Sequence, residues 1–232
     1  MKVVMCAGPP ASGKSTVLRQ ATRSLTARGL RLAYLKIDVQ YADEDEIFHN
    51  EFGIPTHKVY SGDLCPDHCS VLVMGDAIKW AEQEQSDILL VETAGLCLRC
   101  APYIEGTLGM VVLEATSGMS LPRKIGAMLT LADIAVVTKI DMVSQAEKEV
   151  FRANIMDAAS AVIIETDALH GIGMDRVVSA IENSQPVKEP LLLKGSPPMA
   201  TCTICVGKRE IGWEKHSGLL RTLDSGLFYK GQ

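Results

Sequence analysis

Short apolar runs alternate along this chain with longer stretches in which apolar positions recur at helical spacing. The runs at 2–7, 32–37, 56–60, 87–91, 109–115, 133–137 and 161–164 have strand length. The stretches at 15–28, 70–85, 121–131, 144–158 and 174–182 read as helices. Gly29 is a credible stop for the first of them. Pro122 sits near the start of the third, where a missing N–H does no harm. Ser144 and Glu147 have the spacing of a capping box. The acidic run Asp43-Glu44-Asp45-Glu46 reads as a solvated helix start, where carboxylates suit the positive end of the helix dipole.

Strictly alternating strands and helices predict an α/β fold with three layers: a mostly parallel sheet and helices on both faces. In such folds ligands bind at the carboxyl ends of the strands. After Gln185 the pattern changes, because Pro186, Pro190, Pro197 and Pro198 break regular structure. Residues 1–185 are therefore expected to form the main domain, and 186–232 a tail or small module containing Cys202 and Cys205.

Composition narrows the choices. With 232 residues, 47% of them apolar, the chain can bury the core of one α/β domain with a small appendage. A net charge of −5 argues against non-specific nucleic-acid binding, which draws on basic surface. No apolar run approaches the roughly 18 residues of a membrane span, and Lys14 and Arg19 interrupt any reading of a leader, so a cytoplasmic protein without a membrane partner is expected. In that compartment seven cysteines point to metal ligation or redox chemistry rather than structural disulfides.

The first run leads into Gly8-Pro9-Pro10-Ala11-Ser12-Gly13-Lys14-Ser15-Thr16, a G-x-x-x-x-G-K-S phosphate-binding loop between a strand and a helix. Glycines let backbone N–H groups turn inward, and the helix N-terminus adds its dipole. Lys14 is expected on the β- and γ-phosphates and Ser15 on Mg²⁺. Glu92-Thr93-Ala94-Gly95 stands where D-x-x-G usually lies, so Glu92 is suited to a Mg²⁺-bound water and the Gly95 N–H to the γ-phosphate. Asp38 is a second candidate for the metal or the attacking water. Thr138-Lys139-Ile140-Asp141 matches the guanine-reading [N/T]-K-x-D, with Asp141 accepting from guanine N1–H and the exocyclic amine. Ala168 and Leu169 fall where the second, weaker guanine-contacting loop belongs.

In this order, and with Ser61-Gly62-Asp63-Leu64-Cys65-Pro66-Asp67-His68-Cys69 between Asp38 and Glu92, residues 2–183 resemble the metallochaperone GTPases of the SIMIBI class. That group includes the hydrogenase nickel-insertion GTPase, the urease accessory GTPase and the CobW-type proteins. The resemblance implies a three-layer P-loop NTPase fold and a slow Mg²⁺-dependent GTP hydrolase. It further implies a homodimer that brings a transition metal (Ni, Zn or Co) to a client metalloenzyme or its accessory proteins. In several members a Cys/His loop holds the metal, and Cys65, His68 and Cys69 fall in that loop. Their Cys-x-x-His-Cys spacing departs from the nickel and CobW patterns. Pro9 and Pro10 replace the early lysine of the dimeric ATPases that resemble nitrogenase iron protein.

Two further pairs, Cys97-x-x-Cys100 and Cys202-x-x-Cys205, each offer two thiolates to Zn²⁺ or an iron–sulfur cluster. Four ligands arise from both pairs in one chain, or from Cys97 and Cys100 of two subunits at a dimer axis. Cys6, inside the first strand, reads as core packing. The alternatives to a metal-inserting GTPase are a nucleotide-gated iron–sulfur redox protein or reductive activator, and a small-molecule kinase.

Overall fold

The computed structural model describes residues 1–39, 41–61, 66–95, 101–196 and 208–212, except for the side chain of His68. Seven strands form one sheet: β1 (Lys2–Ala7), β2 (Leu32–Asp38), β3 (Thr56–Tyr60), β4 (Ile88–Thr93), β5 (Leu108–Glu114), β6 (Ile134–Thr138) and β7 (Val162–Glu165). Their order is β3-β2-β4-β1-β5-β6-β7, with every pair parallel. Every residue of β4 and β6 is buried, as is β1 after Lys2, because helices cover both faces.

Two apolar clusters form the core, one on each face of the sheet. On one face, Val17, Leu18, Ala21 and Leu25 of α1 (Lys14–Ala27) pack with Phe48 of α2 (Glu44–Phe52) and with Val177, Val178 and Ile181 of α6 (Met174–Glu182). On the other, Leu72, Val73, Met74 and Ala77 of α3 (Pro66–Gln83) pack with Phe151 and Ile155 of α5 (Gln145–Ala158) and with a single turn, α4 (Ala127–Thr130). Each fully buried Leu, Ile, Val or Phe contributes about 1.5–3 kcal/mol. The expected capping box is present: the Ser144 hydroxyl accepts from the Glu147 amide, and Glu147 accepts from the Ser144 amide.

Two expectations are corrected. The continuous helix over 121–131 is instead a 3₁₀ turn at Leu121–Arg123 followed by α4, because Gly126 takes φ 51°, ψ −130°, which no helix accommodates. The helix expected from 70 begins at Pro66, whose fixed φ suits a first helical position. His68 and Cys69 therefore lie on a helix, not in a loop, and the Cys69 side chain is buried in the core.

The described part of the segment after Gln185 is bound to the rest of the chain. Pro186 bridges Lys2 at the start of β1, and Leu193, itself buried, bridges Ile104. Leu192 bridges Glu210, the Leu193 amide donates to the Arg209 carbonyl at 2.8 Å, and the Gly212 amide donates to the Val71 carbonyl of α3 at 3.1 Å.

Candidate functional site

The carboxyl ends of β1, β2, β4 and β6 meet at a cleft of about 500 Å³. Its lining includes Gly13, Lys14, Ser15, Thr16, Asp38, Glu92 and Lys139 from the motifs, together with Lys36 and Glu44. The loop from Gly8 to Gly13 is shaped by backbone contact. A Cβ on Gly8 would lie 2.2 Å from the Val112 carbonyl oxygen, and one on Gly95, whose φ is 68°, would lie 1.8 Å from the Gly8 oxygen. Neither position accepts a side chain, so the Gly95 backbone rests directly on the phosphate loop.

Lys14 folds back over this loop and donates to the carbonyls of Gly8 (2.9 Å) and Pro9 (3.0 Å). Burial pulls its ammonium below the usual lysine range, and nearby Glu92 opposes the shift. Ser12 is fully buried, and its hydroxyl finds no hydrogen-bond partner among the described residues. An unpaired buried hydroxyl in a phosphate-binding loop suits a phosphate oxygen.

The acidic side of the cleft is built from β2, β4 and the start of α2. Tyr34, Lys36 and Asp38 alternate on one face of β2, and Lys36 is the direct cross-strand neighbour of Glu92. The Glu92 carboxylate, 1% exposed, accepts from the Ser15 hydroxyl (2.8 Å), the Tyr34 hydroxyl (2.9 Å) and the Lys36 ammonium (2.8 Å). Lys36, 3% exposed, also donates to Glu44 at 2.9 Å and lies 3.5 Å from Asp38. Burial alone would depress the Lys36 ammonium, but Glu92 and Glu44 hold it above its usual range. Partial burial would raise Glu44, yet Lys36 holds it below the ordinary carboxylate range. Burial and the adjacent Glu92 push the Tyr34 phenol well up.

These oxygens fit Mg²⁺. A hydroxyl and carboxylates are the hard donors it takes, and it binds through one or two protein oxygens, with water and phosphate supplying the rest. Among the described residues no three His, Cys, Asp or Glu side chains form a ready-made metal cage. That is consistent with a site completed by a nucleotide.

At the other end of the cleft the contacts run through the backbone. The Thr138 hydroxyl donates to the Ser12 carbonyl at 2.7 Å, and Lys139 donates to the Ala11 carbonyl at 3.1 Å while pairing with Glu114. Both residues therefore strap the end of β6 onto the phosphate loop. Lys139 itself adopts a left-handed φ of 57°. Asp141 is exposed on the 3₁₀ turn Ile140–Met142. Ala168 is buried, Leu169 is exposed, and their loop is closed by paired hydrogen bonds between Asp167 and Ile172. Asp141, Ala168 and Leu169 lie outside the cleft lining.

The cysteines divide. Cys65, Cys97, Cys100, Cys202 and Cys205 lie outside the described residues, as does the side chain of His68. Cys6 and Cys69 are free and buried, and burial pushes the Cys69 thiol up to about 12. A thiol so disposed stays protonated at neutral pH, whereas a metal ligand must be thiolate. Sequence reasoning missed Lys36, Tyr34 and Glu44. A lysine inside the otherwise apolar Leu32–Asp38 strand was the available signal, since lysine is almost never buried unless paired.

Residues 2–164 match the CobW/HypB/UreG nucleotide-binding domain family. An uncharacterised protein of Methanocaldococcus jannaschii is 41% identical over 235 residues, covering all of both chains. Urease accessory protein UreG 2 of Streptomyces griseus subsp. griseus is 27% identical, over 78% of this chain and 86% of its own. In fold, the chain is similar to the hydrogenase maturation factor HypB of Archaeoglobus fulgidus (TM-score 0.60, 21% identity, covering 78% of this chain and 89% of that one). It is likewise similar to HypB of Helicobacter pylori in complex with nickel (TM-score 0.61, 18% identity, covering 82% and 91%). The three-layer sheet is that of a P-loop NTPase, and the chain belongs to the CobW/HypB/UreG family.

Proposed function

We propose that this protein is a Mg²⁺-dependent GTPase, working as a homodimer, that assists delivery of a transition metal or metallocofactor to a client enzyme. The observation that carries the nucleotide reading is the convergence of Lys14, Ser15 and Glu92 in one cleft, with Thr138 and Lys139 hydrogen-bonded to the same phosphate loop.

In this reading Lys14 exchanges the Gly8 and Pro9 carbonyls for the β- and γ-phosphates. The N-terminus of α1 and the Ser12 hydroxyl receive phosphate oxygens. Ser15 would hold Mg²⁺ directly, and Glu92 and Asp38 would hold its waters. The ion supplies neutralisation of charge developing between the β- and γ-phosphoryl groups. Asp38 orients the attacking water. As the water oxygen bonds to the γ-phosphorus, its proton passes to a phosphate oxygen, the bond to the bridging oxygen breaks, and GDP leaves with the electron pair beside inorganic phosphate. Asp141 accepts from guanine N1–H and the exocyclic amine, the Lys139 stem covers the base, and Ala168 and Leu169 border it. The test is competitive titration of a fluorescent GDP analogue with GTP and with ATP. Strong preference for GTP supports the reading, and equal affinity rejects the guanine assignment.

The cargo reading rests on relatives named for urease and hydrogenase maturation, one of them bound to nickel. Nickel, zinc, cobalt or an iron–sulfur cluster would be carried by Cys97 and Cys100, just beyond Gly95, with Cys202 and Cys205 or with Cys65 and His68. Residues flanking these segments are joined: Ile104 bridges Leu193, Leu193 bonds to Arg209, and Gly212 bonds to Val71. A site within one chain is the alternative to one shared across a dimer axis. Metal analysis and visible absorption of anaerobically purified protein decide. One metal or cluster per chain, lost in Cys97→Ser/Cys100→Ser, supports this arrangement, and one per two chains favours the shared site.

A further inference from the structure

The Mg²⁺-binding side of the cleft already contains a cation. Lys36 is covalently tethered, nearly sealed from solvent, and within 3.5 Å of all three carboxylates that border the cleft. It shares the same Glu92 oxygen, Oε1, with the Ser15 hydroxyl. A divalent ion taking Ser15 and the waters on Glu92 would sit next to an ammonium. Charge repulsion at such a distance is strong in a partly buried site. Lys36 connects the site to α2, because Glu44 stands in the first turn of that helix, and the Ser15 hydroxyl makes a longer contact of 3.5 Å to the same Glu44 oxygen. A further tie is apolar: Phe48 stacks on Tyr34 with ring centroids 3.9 Å apart.

We propose that Lys36 is a built-in counter-cation that must leave Glu92 and Glu44 when a divalent ion binds, so that ion uptake requires the nucleotide and frees the first turn of α2. Without nucleotide, Lys36 satisfies Glu92 and excludes Mg²⁺. With nucleotide, phosphate oxygens add ligands for the ion and a new partner for the displaced ammonium. Lys36 is thus a positioning residue for the metal and not a ligand. The inference rests on the assignment of Ser15 and Glu92 to Mg²⁺.

The test uses Mn²⁺ as a spectroscopic stand-in, titrated by electron paramagnetic resonance into the full-length protein. Wild type without nucleotide should bind Mn²⁺ poorly, and Lys36→Met without nucleotide should bind it at least roughly tenfold more tightly, since a repelling charge has been removed. Equal or weaker binding by Lys36→Met overturns the proposal. With GDP present, Ser15→Ala should lower the protein-bound Mn²⁺ signal. If it does not, the Mg²⁺ assignment itself fails, whatever Lys36 does. Should Lys36→Met not fold, hydrogen exchange of wild type decides. With GDP, the amides of Ile47 and Phe48 should exchange faster in Mg²⁺ than in chelator. Unchanged or slower exchange overturns the coupling to α2.

Discussion

The two ends of the cleft are built on different principles. At the phosphate end, Glu92, Lys36 and Tyr34 are buried and bonded side chain to side chain. At the base end, Thr138 and Lys139 grip backbone carbonyls, while Asp141 stands exposed. Charges at the first end belong to the fold as well as to the ligand. The carboxylate at the second is exposed, and its electrostatic partner among the described residues is His170. Substitutions should therefore split: those of Glu92 and Lys36 alter stability together with chemistry, and those of Asp141 alter selectivity with little change in stability.

The largest effect is expected from Lys14→Ala. Among the described residues its ammonium is hydrogen-bonded to two loop carbonyls, and burial opposes its charge, so the variant should still fold. Hydrolysis should fall about 10²–10³-fold, as when a group stabilising transition-state charge is removed. Single-turnover release of phosphate from GTP measures it. Next comes Asp141→Asn, which should cost on the order of 100-fold in GTP affinity and shift preference toward xanthine nucleotides. Its urea midpoint should stay within about 0.5 kcal/mol of wild type, because the side chain is exposed. A large loss of stability here would erase the contrast between the two ends.

Glu92→Gln preserves shape and removes charge. It should destabilise the free protein by about 2 kcal/mol, the scale of hydrogen bonds to a charged group. Urea denaturation without nucleotide reads this directly, and a change near zero would mean that Lys36 is satisfied by Glu44 and Asp38 alone. The smallest effect concerns pH at the base end. Hydrogen-bonded at 2.5 Å, Asp167 raises His170 above its usual value of 6.5, and His170 holds Asp167 below its usual 3.8. The contribution of protonated His170 is complete below pH 6.5 and fades as pH rises through its raised value. That of ionised Asp167 is complete above pH 3.8 and fades as pH falls through its lowered value. Stability measured across neutral pH should therefore decline more steeply in wild type than in His170→Ala, and identical slopes would show the pair to be inert.

Much of the frame was legible because it depends on local chemistry. Gly13-Lys14-Ser15 announces a loop between strand and helix, and Ser144 with Glu147 announces a helix start. The helix over 121–131 failed for a local reason too, since its apolar spacing outvoted the glycine that breaks it at Gly126. What could not be read was the partnership of Lys36 with Glu92. It depends on β2 lying beside β4 in a register that sets those two residues opposite each other, although 56 residues separate them. The acidic run reads, from sequence, as a solvated helix start. Glu44 does begin α2, but it faces inward to Lys36, because Phe48 one turn later is anchored on Tyr34.

Strand order also dictates when, during folding, a nucleotide can first be held. The loop precedes its packing partners along the chain, yet β1 lies in the middle of the sheet between β4 and β5. Gly8 is held against Val112 and Gly95, and Gly13 against Thr138, so the loop borrows its shape from chain made 80 to 130 residues later. Contacts of such long sequence separation form slowly. Nucleotide capture in a refolding experiment thus marks completion of the central sheet, not growth of the first helix.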